Sequence, residues 1–295
     1  MNERASATRT LRIGFRVVTH ARVLLDTDIG NDIDDAVCLD YLLRKPGCEL
    51  LGVTTVTAAS VQRAKLASVL CRHAGRDVPI VAGAERPLTG EPLQEPPISS
   101  PDGWPHDTSF ETDAVGFLSR VIREHPHEVT LLAIGALTNV AQLLITDPAV
   151  APLLKSLVLM GGRYFSAGQE WNIRNDPAAA AVVFGADLPH LRAVGLDVTY
   201  QVKMSAEEFR SSFTGPVLEF SGPWLERKGQ THFHDPLAAT TIFSSVCGYR
   251  RGRVTLSNED TIFDPDPDGP HEVAATVDPS AFFAELAADH LAHGG

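Results

Sequence analysis

The chain has 295 residues, 44% of them hydrophobic and 21% charged, which is typical of a globular protein with a sizeable core. Its formal net charge of -12 argues against nucleic acid or an anionic membrane as a partner. No apolar run approaches the roughly 18 residues of a membrane span, and residues 1–22 lack the features of a secretory signal. The four cysteines show no CxxC spacing, which favours reduced thiols in a cytoplasm.

The first half of the chain alternates strand-like and helix-like segments. Residues 85–107 are rich in proline and show no periodicity, which indicates a long surface loop, and long loops in compact domains are often functional lids. Before that loop the pattern predicts strands at residues 23–26, 50–57 and 78–82, and helices at 33–43 and 61–74.

The second half continues the alternation. It predicts strands at 129–134, 156–160 and 191–196, helices at 137–145, from Asp176-Pro177, after Ser205 and from Pro236, a hairpin of 253–257 with 272–277, and a closing helix at 279–293. The fold class is therefore α/β: a single domain at residues 23–295 with a Rossmann-like, mostly parallel central sheet covered by helices. Residues 1–22 form an N-terminal extension in which 11–18 could add an edge strand.

The most informative stretch is residues 26–35, which holds five carboxylates within ten residues, directly after a predicted strand. That position faces the crevice at the carboxyl ends of the strands, where ligands bind in open α/β sheets. Carboxylates this dense repel one another unless protons or a cation offset them, and a hard divalent cation with oxygen ligands is the natural partner. Helix capping would explain one or two of these acids, but not five.

An EF-hand loop and an aspartyl phosphotransferase site are two other kinds of site that contain closely spaced carboxylates. An EF-hand loop starting at Asp26 would need Asp or Asn at Gly30 and Glu at Val37, so it fails. An aspartyl phosphotransferase also presents Asp-x-Asp after a strand, yet it gives no reason for the pair Asp34-Asp35. It stays as a minor alternative, and released phosphate would distinguish it.

The stretch 26–36 resembles the N-terminal signature of the inosine–uridine-preferring nucleoside hydrolase family, with two extra residues between the glycine and the paired aspartates. Four further matches follow in order, so the resemblance covers about residues 22 to 290. They are Thr54-Thr55-Val56, Gly135-Ala136-Leu137-Thr138-Asn139, Met160-Gly161-Gly162 with Glu170-Trp171-Asn172-Ile173, and His234-Asp235-Pro236-Leu237-Ala238. The resemblance implies a nucleoside hydrolase fold, a calcium-dependent N-ribohydrolase acting on a small nucleoside, and a homodimer or homotetramer.

The resemblance also implies a calcium (Ca2+) site. The ligands would be the side chains of Asp28, Asp35 and Asp235 and the backbone carbonyl of Thr138, with the ribose 2′ and 3′ hydroxyls and one water completing the coordination. Asp28 would be the general base toward that water, because a cation lowers the pKa of bound water and a nearby carboxylate completes the deprotonation. Asp26 and Asp32 are expected to be supporting residues.

Substrate contacts are implied for five further residues. Asp34, Glu170 and Asn172 would bond the sugar hydroxyls, the last two from one side of an extended segment. Met160 would pack under the sugar, although core filling explains it equally well. Trp104 in the predicted lid would stack on the base, or simply anchor its loop.

Cleavage of the glycosidic bond passes through an oxocarbenium-like ribosyl cation, and the departing base needs a proton or another way to stabilise its charge. By analogy with the family, His234 is the favoured acid. A packing role against the base is the alternative.

The chain departs from the family pattern at three places. Ala58-Ala59-Ser60 replaces a Gly-Asn pair that holds ribose, residues 163–169 lack an asparagine for the 5′ hydroxyl, and the lid has no His-Gly pair. We therefore expect a modified riboside, or one with a bulky 5′ group, as substrate. A riboside-binding protein without turnover is the alternative from another class, and retention of Asp28 argues against it.

Overall fold

The computed structural model describes residues 19–288, and their strands form two sheets. The strands are β1 (Ala21–Thr27), β2 (Cys48–Thr55), β3 (Ile80–Ala82), β4 (Val129–Ala133), β5 (Ser156–Met160), β6 (Leu191–Val194), β7 (Lys203–Ser205), β8 (Gln230–His232), β9 (Cys247–Ser257), β10 (Asp260–Pro265) and β11 (His271–Val277). The main sheet has the order β10-β9-β11-β6-β5-β4-β1-β2-β3, and β7 pairs with β8 separately.

Helices cover both faces of the main sheet. They are α1 (Asp34–Arg44), α2 (Ser60–His73), α3 (Ala114–Glu124), α4 (Thr138–Thr146), α5 (Trp171–Asn175), α6 (Pro177–Gly185), α7 (Leu196–Thr199), α8 (Ala206–Ser212), α9 (Gly215–Lys228), α10 (His234–Thr240) and α11 (Pro279–Ala288). Within residues 19–288 none of these helices has the length and apolar character needed to cross a membrane.

Neighbouring strands are parallel from β3 to β11, and β9 runs antiparallel to both of its neighbours, β11 and β10. The chain passes from β1 to β2 on one side and places β4 on the other side of β1. This reversal of strand order opens a crevice at the carboxyl ends of β1 and β4, which is where ligands bind in such sheets. The α/β prediction with a mostly parallel sheet is confirmed.

The two core layers follow from the alternation of side chains along the strands. Val23 and Leu25 of β1 belong to the layer with α1, α2, α10 and α11, whereas Leu24 faces the layer with α3, α4 and α6. Since β1 is central, all three residues are fully buried. A strand that is covered on both faces reads as a continuous apolar run, and this is why the sequence predicts it readily.

Several helix starts agree with their capping residues. Asp176 is the N-cap of α6, and its carboxylate accepts a hydrogen bond from the backbone N–H of Ala179 at 3.0 Å, with Pro177 at the first helical position. Ser205 caps α8 in a reciprocal capping box with Glu208. Helix α10 begins at His234, two residues before the predicted start.

The C-terminal part differs from the prediction. The predicted hairpin of 253–257 with 272–277 was wrong in its pairing, because residues 253–257 pair with β10, which follows a turn at Asn258 inside the Pro- and Asp-rich stretch. β11 is an antiparallel neighbour of β9, but it pairs with the first half of that strand, residues 247–252. Acids and prolines at the exposed edge of the sheet conceal the strand signal of β10. Sequence analysis also missed α3, α5, α7, α9 and the small sheet. The expected edge strand at 11–18 and the last residues of the closing helix, 289–293, lie outside the described residues.

Candidate active site

A cleft of about 750 Å³ opens at the carboxyl edge of the sheet. Its floor is built by the loop after β1, by Ile134 after β4, by Met160 at the end of β5 and by the start of α10. Its walls come from the 85–107 segment, from α5 and from α9. The remaining lining includes Asp28, Asp32, Asp34, Asp35, Gln94, Glu170, Trp171, Asn172, Tyr200, Trp224, His234 and Asp235. The cleft therefore collects most of the side chains that the sequence assigns to substrate and metal.

Three of the carboxylates form a tight group on the floor. Oxygen atoms of Asp34, Asp35 and Asp235 lie within 4.8 Å of one another, and all three residues are buried. Asp34 accepts a hydrogen bond from the backbone N–H of Asp235 at 3.2 Å, and Asp35 accepts one from the Thr27 hydroxyl. Burial and mutual repulsion raise the pKa of each of these carboxyls well above its ordinary value.

The composition of this group fits a hard cation. Every ligand atom it offers is an oxygen, and the positive charge near the group, the Arg63 guanidinium, makes no hydrogen bond to any of the three carboxylates in the described structure. A divalent ion would offset the repulsion that otherwise forces these buried groups to hold protons. The cluster can therefore hold a metal ion.

Asp28 lies beside this group, at the start of the loop that follows β1. One of its carboxylate oxygens accepts a hydrogen bond from the Gln94 amide at 3.0 Å. Burial raises the pKa of Asp28, and the positive charge of Arg63 opposes that shift. Close approach of another loop fixes the position: a Cβ at Gly135 would lie 3.0 Å from both the backbone nitrogen and Oδ1 of Asp28. Glycine is therefore required at the first position of the 135–139 motif.

The other residues of the 135–139 motif are buried behind the cleft. The Thr138 hydroxyl donates to the Asp176 carboxylate at 2.7 Å, which joins the start of α4 to the cap of α6. Asn139 donates to Asp26 at 2.7 Å and to the Thr55 carbonyl at 3.1 Å, and it accepts from the backbone N–H of Ala84 at 2.9 Å. Asn139 thus connects the ends of β1 and β2 with the segment that follows β3.

Asp26 lies under the floor and does not line the cleft. Its Oδ1 accepts hydrogen bonds from the Thr54 hydroxyl at 2.5 Å and from Asn139, while its Oδ2 is buried and has no partner among residues 19–288. Burial raises the pKa of Asp26 to about 7. Asp32 differs: it lines the cleft, and burial raises its pKa to about 7 as well.

We expect Asn139→Ala to lower the free energy of unfolding by about 2 to 4 kcal/mol, because it removes three hydrogen bonds, two donated to Asp26 and the Thr55 carbonyl and one accepted from the Ala84 N–H. Urea unfolding measures the loss. Ile145→Ala on the same helix is the matched control, since Ile145 is exposed and its truncation should change stability by less than about 0.5 kcal/mol. A loss below about 1 kcal/mol for Asn139→Ala would show that other contacts hold the ends of β1 and β2 and the segment after β3 together.

Glu170 and Asn172 both reach the cleft, although not from an extended segment. Glu170 is the N-cap of the short helix α5, and its carboxylate accepts hydrogen bonds from the backbone N–H groups of Gly162, Asn172 and Ile173 at 2.9–3.0 Å. The Asn172 amide donates to the Ile134 carbonyl at 2.7 Å and to the Met160 carbonyl at 3.2 Å. The prediction of an extended segment was wrong because capping by Glu170 starts a helix there.

His234 lines the cleft at the start of α10. Its Nδ1 is 2.7 Å from the Thr199 hydroxyl, and its ring contacts those of Tyr200 and His232 with centroids 5.4 Å apart. Burial lowers the pKa of His234 to about 3, with a smaller contribution from His232. The imidazole is therefore neutral at neutral pH and carries one N–H.

Trp104 is not brought to the cleft. Its indole N–H donates to the Glu219 carboxylate at 3.0 Å, and its ring packs edge-on against His73. These contacts anchor the far end of the 85–107 segment to α2 and α9. The residues of this segment that line the cleft are Leu93, Gln94, Glu95 and Ile98, and sequence analysis missed Gln94 in particular.

Sequence analysis also missed Arg63 and Trp171. Arg63 lies in the first turn of α2 and is fully buried behind Asp28, and Trp171 at the start of α5 donates its indole N–H to Gln94. The sequence signal for Arg63 is weak: it is a charged residue three positions after Ala58-Ala59-Ser60, which replaces the expected Gly-Asn pair. Trp171 lies inside a recognised motif, so its neighbours Glu170 and Asn172 pointed to it.

A buried carboxylate cluster that could hold a metal ion, in a cleft at the carboxyl edge of a mainly parallel sheet, is typical of α/β enzymes. The sequence pattern of the inosine-uridine preferring nucleoside hydrolases matches residues 23–284, and the chain belongs to this family. Hydrolysis of the N-glycosidic bond of a ribonucleoside is accordingly its activity.

Named relatives agree with this assignment. Uridine nucleosidase 1 of Arabidopsis thaliana is 31% identical over 271 residues, which cover 81% of this chain and 79% of that protein. The pyrimidine-specific ribonucleoside hydrolase RihB of Escherichia coli strain SE11 is 32% identical over 245 residues, 77% of each chain. The solved structure of the plant nucleoside hydrolase PpNRh1 has a TM-score of 0.76 and 25% identity, covering 91% of this chain and 98% of that one.

Proposed function

We propose that this chain is a calcium-dependent N-ribohydrolase in which Asp28 is the general base. One observation carries the proposal: Asp28 lies next to the buried oxygen cluster of Asp34, Asp35 and Asp235 on the floor of a cleft large enough for a nucleoside. The cluster supplies the charge that a hard cation needs, and the neighbouring carboxylate supplies a base.

The calcium ligands we propose are the carboxylates of Asp28, Asp35 and Asp235 together with the backbone carbonyl of Thr138. When bound, the ion would lower the pKa of the attacking water and hold the ribose diol. Asp28 accepts the proton of that water at a carboxylate oxygen. The Gln94 amide, which donates to Asp28 Oδ2, orients this carboxylate from the lid side.

The sugar would be held between Asp34 and the Glu170–Asn172 pair. The Asn172 amide N–H groups are occupied by two main-chain carbonyls, so its oxygen is oriented toward the cleft as an acceptor for a hydroxyl. Three main-chain N–H groups fix the Glu170 carboxylate, which keeps acceptor capacity for a second hydroxyl. Met160 forms the apolar floor beneath the sugar.

His234 would assist the departing base as a neutral donor. In the tautomer whose Nδ1 accepts from the Thr199 hydroxyl, the ring proton is on Nε2 and can be donated to a ring nitrogen or oxygen of the leaving base. The low pKa of this histidine makes a neutral imidazole the species present at pH 7. Tyr200 packs against the ring and closes the same end of the cleft.

Ribonucleosides are the proposed substrates, with uridine the first to test because two relatives are named for pyrimidine nucleosides. A riboside with a modified 5′ group is the second candidate, because the 163–169 segment turns away from the cleft. In that segment the backbone N–H of Tyr164 and the hydroxyl of Ser166 both bond the Asp197 carboxylate, at 2.6 and 2.7 Å. Of its residues, only Gln169 lines the cleft.

The remaining expectations concern the setting of the enzyme. We propose a cytoplasmic protein that assembles as a homodimer or homotetramer, with its domain at residues 23–295. Four unpaired cysteines, three of them buried, suit a reducing compartment.

The test is reducing-sugar release from uridine, cytidine, inosine, adenosine and a 5′-modified uridine, with calcium or with a chelator. We expect release with calcium and at least about a hundredfold less without it. Rapid release from the standard nucleosides would rule out the requirement for a modified substrate. No release from any of them by a calcium-loaded protein would favour a riboside-binding protein instead.

A further inference from the structure

Arg63 is a fully buried guanidinium whose hydrogen bonds all go to oxygens that carry no full charge. Its Nε donates to the carbonyls of Thr57 and Ala58 at 3.3 and 3.1 Å, its Nη1 to the carbonyls of Asp28 and Ile29 and to Asn31 Oδ1, and its Nη2 to the carbonyl of Glu95 at 2.9 Å. A buried charge is costly unless its donors are satisfied, and here every nitrogen has an acceptor.

These bonds join three segments of the chain. The first is the acidic loop 28–31, the second is the turn 57–59 that follows β2, and the third is the 85–107 segment, which we call the lid. The planar guanidinium offers five N–H donors in a fixed fork, whereas a lysine ammonium has three donors and cannot reproduce this set of hydrogen bonds. Arg63 therefore fixes the positions of the acidic loop and the lid relative to each other.

The backbone of the turn at 57–59 shows why the hydrogen bonds of Arg63 are needed. Thr57 and Ala59 have φ values of 63° and 64°, a left-handed conformation that residues other than glycine rarely adopt. The guanidinium bonds two successive carbonyls of this turn, those of Thr57 and Ala58, which holds the turn in this shape. These are the positions where the chain departs from the Gly-Asn pair of its family.

Asn31 carries the connection from Arg63 to the lid. Its Oδ1 accepts from Arg63 at 2.8 Å and from the Gln94 amide at 3.2 Å, and its own amide donates to the Pro96 carbonyl at 3.1 Å. Two lid N–H groups, of Ile98 and Ser99, donate to the Gly30 carbonyl at 2.9 and 3.2 Å. Asn31 belongs to the stretch with two extra residues, so this insertion serves to fasten the lid.

The chain of contacts ends at the reactive carboxylate. Gln94, held by Asn31, donates to Asp28 Oδ2, and its own Oε1 accepts from the Trp171 indole. We propose that Arg63 is a positioning residue that, through Asn31 and Gln94, keeps the lid closed on the cleft and sets the orientation of Asp28. The effect on turnover rests on the proposed function, whereas the effect on the lid does not.

The experiment compares Arg63→Lys and Asn31→Ala with the wild type. Hydrogen exchange of peptides covering residues 93–99 reports lid opening, and steady-state kinetics on the best nucleoside separates kcat from KM. We expect exchange in that region to rise about tenfold or more and kcat to fall about 10- to 100-fold in both variants, because small misplacements of a catalytic group cost this much. KM should change by less than kcat.

Glu91→Ala is the matched control in the same lid, since Glu91 pairs with Arg86 on the surface and does not line the cleft. It should leave exchange and kcat unchanged. Thermal unfolding identifies variants that fail to fold, and if Arg63→Lys is one of them, Asn31→Ala decides because Asn31 is half-buried at the loop surface.

Unchanged exchange at 93–99 in the folded variants, or increased exchange with an unchanged kcat, would overturn the proposal. If the wild type hydrolyses no nucleoside, the proposed function fails, and the exchange data still test whether Arg63 and Asn31 fasten the lid.

Discussion

Asp28→Asn lowers kcat for nucleoside hydrolysis by about 10²- to 10⁴-fold, the range expected when a general base is removed. The variant keeps the size of the side chain and an oxygen to accept from Gln94, so the lid contact at 3.0 Å survives. What disappears is the basic oxygen beside the cluster of Asp34, Asp35 and Asp235. Reducing-sugar release under saturating substrate measures the loss, and circular dichroism verifies the fold.

Asp147→Asn is the matched control for this isosteric change. Asp147 lies at the end of α4 and pairs with Arg123 and Ser119 on the surface, far from the cleft lining. Its kcat should equal that of the wild type within about twofold, as expected for a surface substitution away from the site. If Asp28→Asn retained more than a tenth of the wild-type kcat, another residue would have to be the base.

The acidic cluster could be predicted from the sequence because local and long-range signals coincide in it. Asp28, Asp34 and Asp35 follow a buried strand directly, and the topology of a parallel sheet brings the ends of such strands to one edge. Asp235 is 200 residues away from Asp35, and only its place in a recognised motif connected it with them. Its carboxylate indeed lies within 4.8 Å of theirs.

The lid shows where sequence information ends. Proline content predicted a loop at 85–107 but not which of its side chains turns inward, and Trp104 anchors the lid while Gln94 enters the cleft. That choice depends on tertiary contacts with α2, α9 and the acidic loop, none of which has a local sequence signature. Arg63 was missed for the same reason, since an arginine in the first turn of a helix ordinarily faces water.

Glu170 illustrates a smaller failure with a clear cause. A spacing of two residues suggested side chains on one face of an extended chain, yet the carboxylate caps three N–H groups and turns the chain into α5. Both residues line the cleft all the same. The motif thus identified the correct residues, but it did not predict the conformation of their backbone.

Without metal, the stability of the protein should fall as the pH rises through neutrality. Burial raises the pKa of Asp26 and of Asp32 to about 7 in the folded chain, whereas an unfolded aspartate titrates near 4. Between these values the folded state holds more protons than the unfolded state, so stability is complete below about pH 4 and declines as pH rises through 7. Each proton contributes a slope of about 1.4 kcal/mol per pH unit.

Urea unfolding between pH 5 and 8 in a chelator measures this slope, and Asp26→Asn isolates one proton of it. The amide mimics the protonated acid, and because Oδ2 of Asp26 has no partner, the substitution should break no hydrogen bond. The variant should therefore gain stability over the wild type as the pH rises, by about 1 kcal/mol or more at pH 8. A wild-type stability that rises with pH in the chelator would contradict the assignment of raised pKa values to these carboxyls.

Calcium should oppose this loss, because an ion that binds only the folded chain stabilises it by mass action. At a hundred times its Kd the gain is about 2.7 kcal/mol, and it should be largest at pH 8, where the ligands Asp35 and Asp235 give up their protons most readily. Asp235→Asn should abolish most of the gain, whereas Asp26→Asn, which lies below the floor and outside the cleft, should retain it. Equal loss of the calcium effect in both variants would place the ion somewhere other than the cluster on the cleft floor.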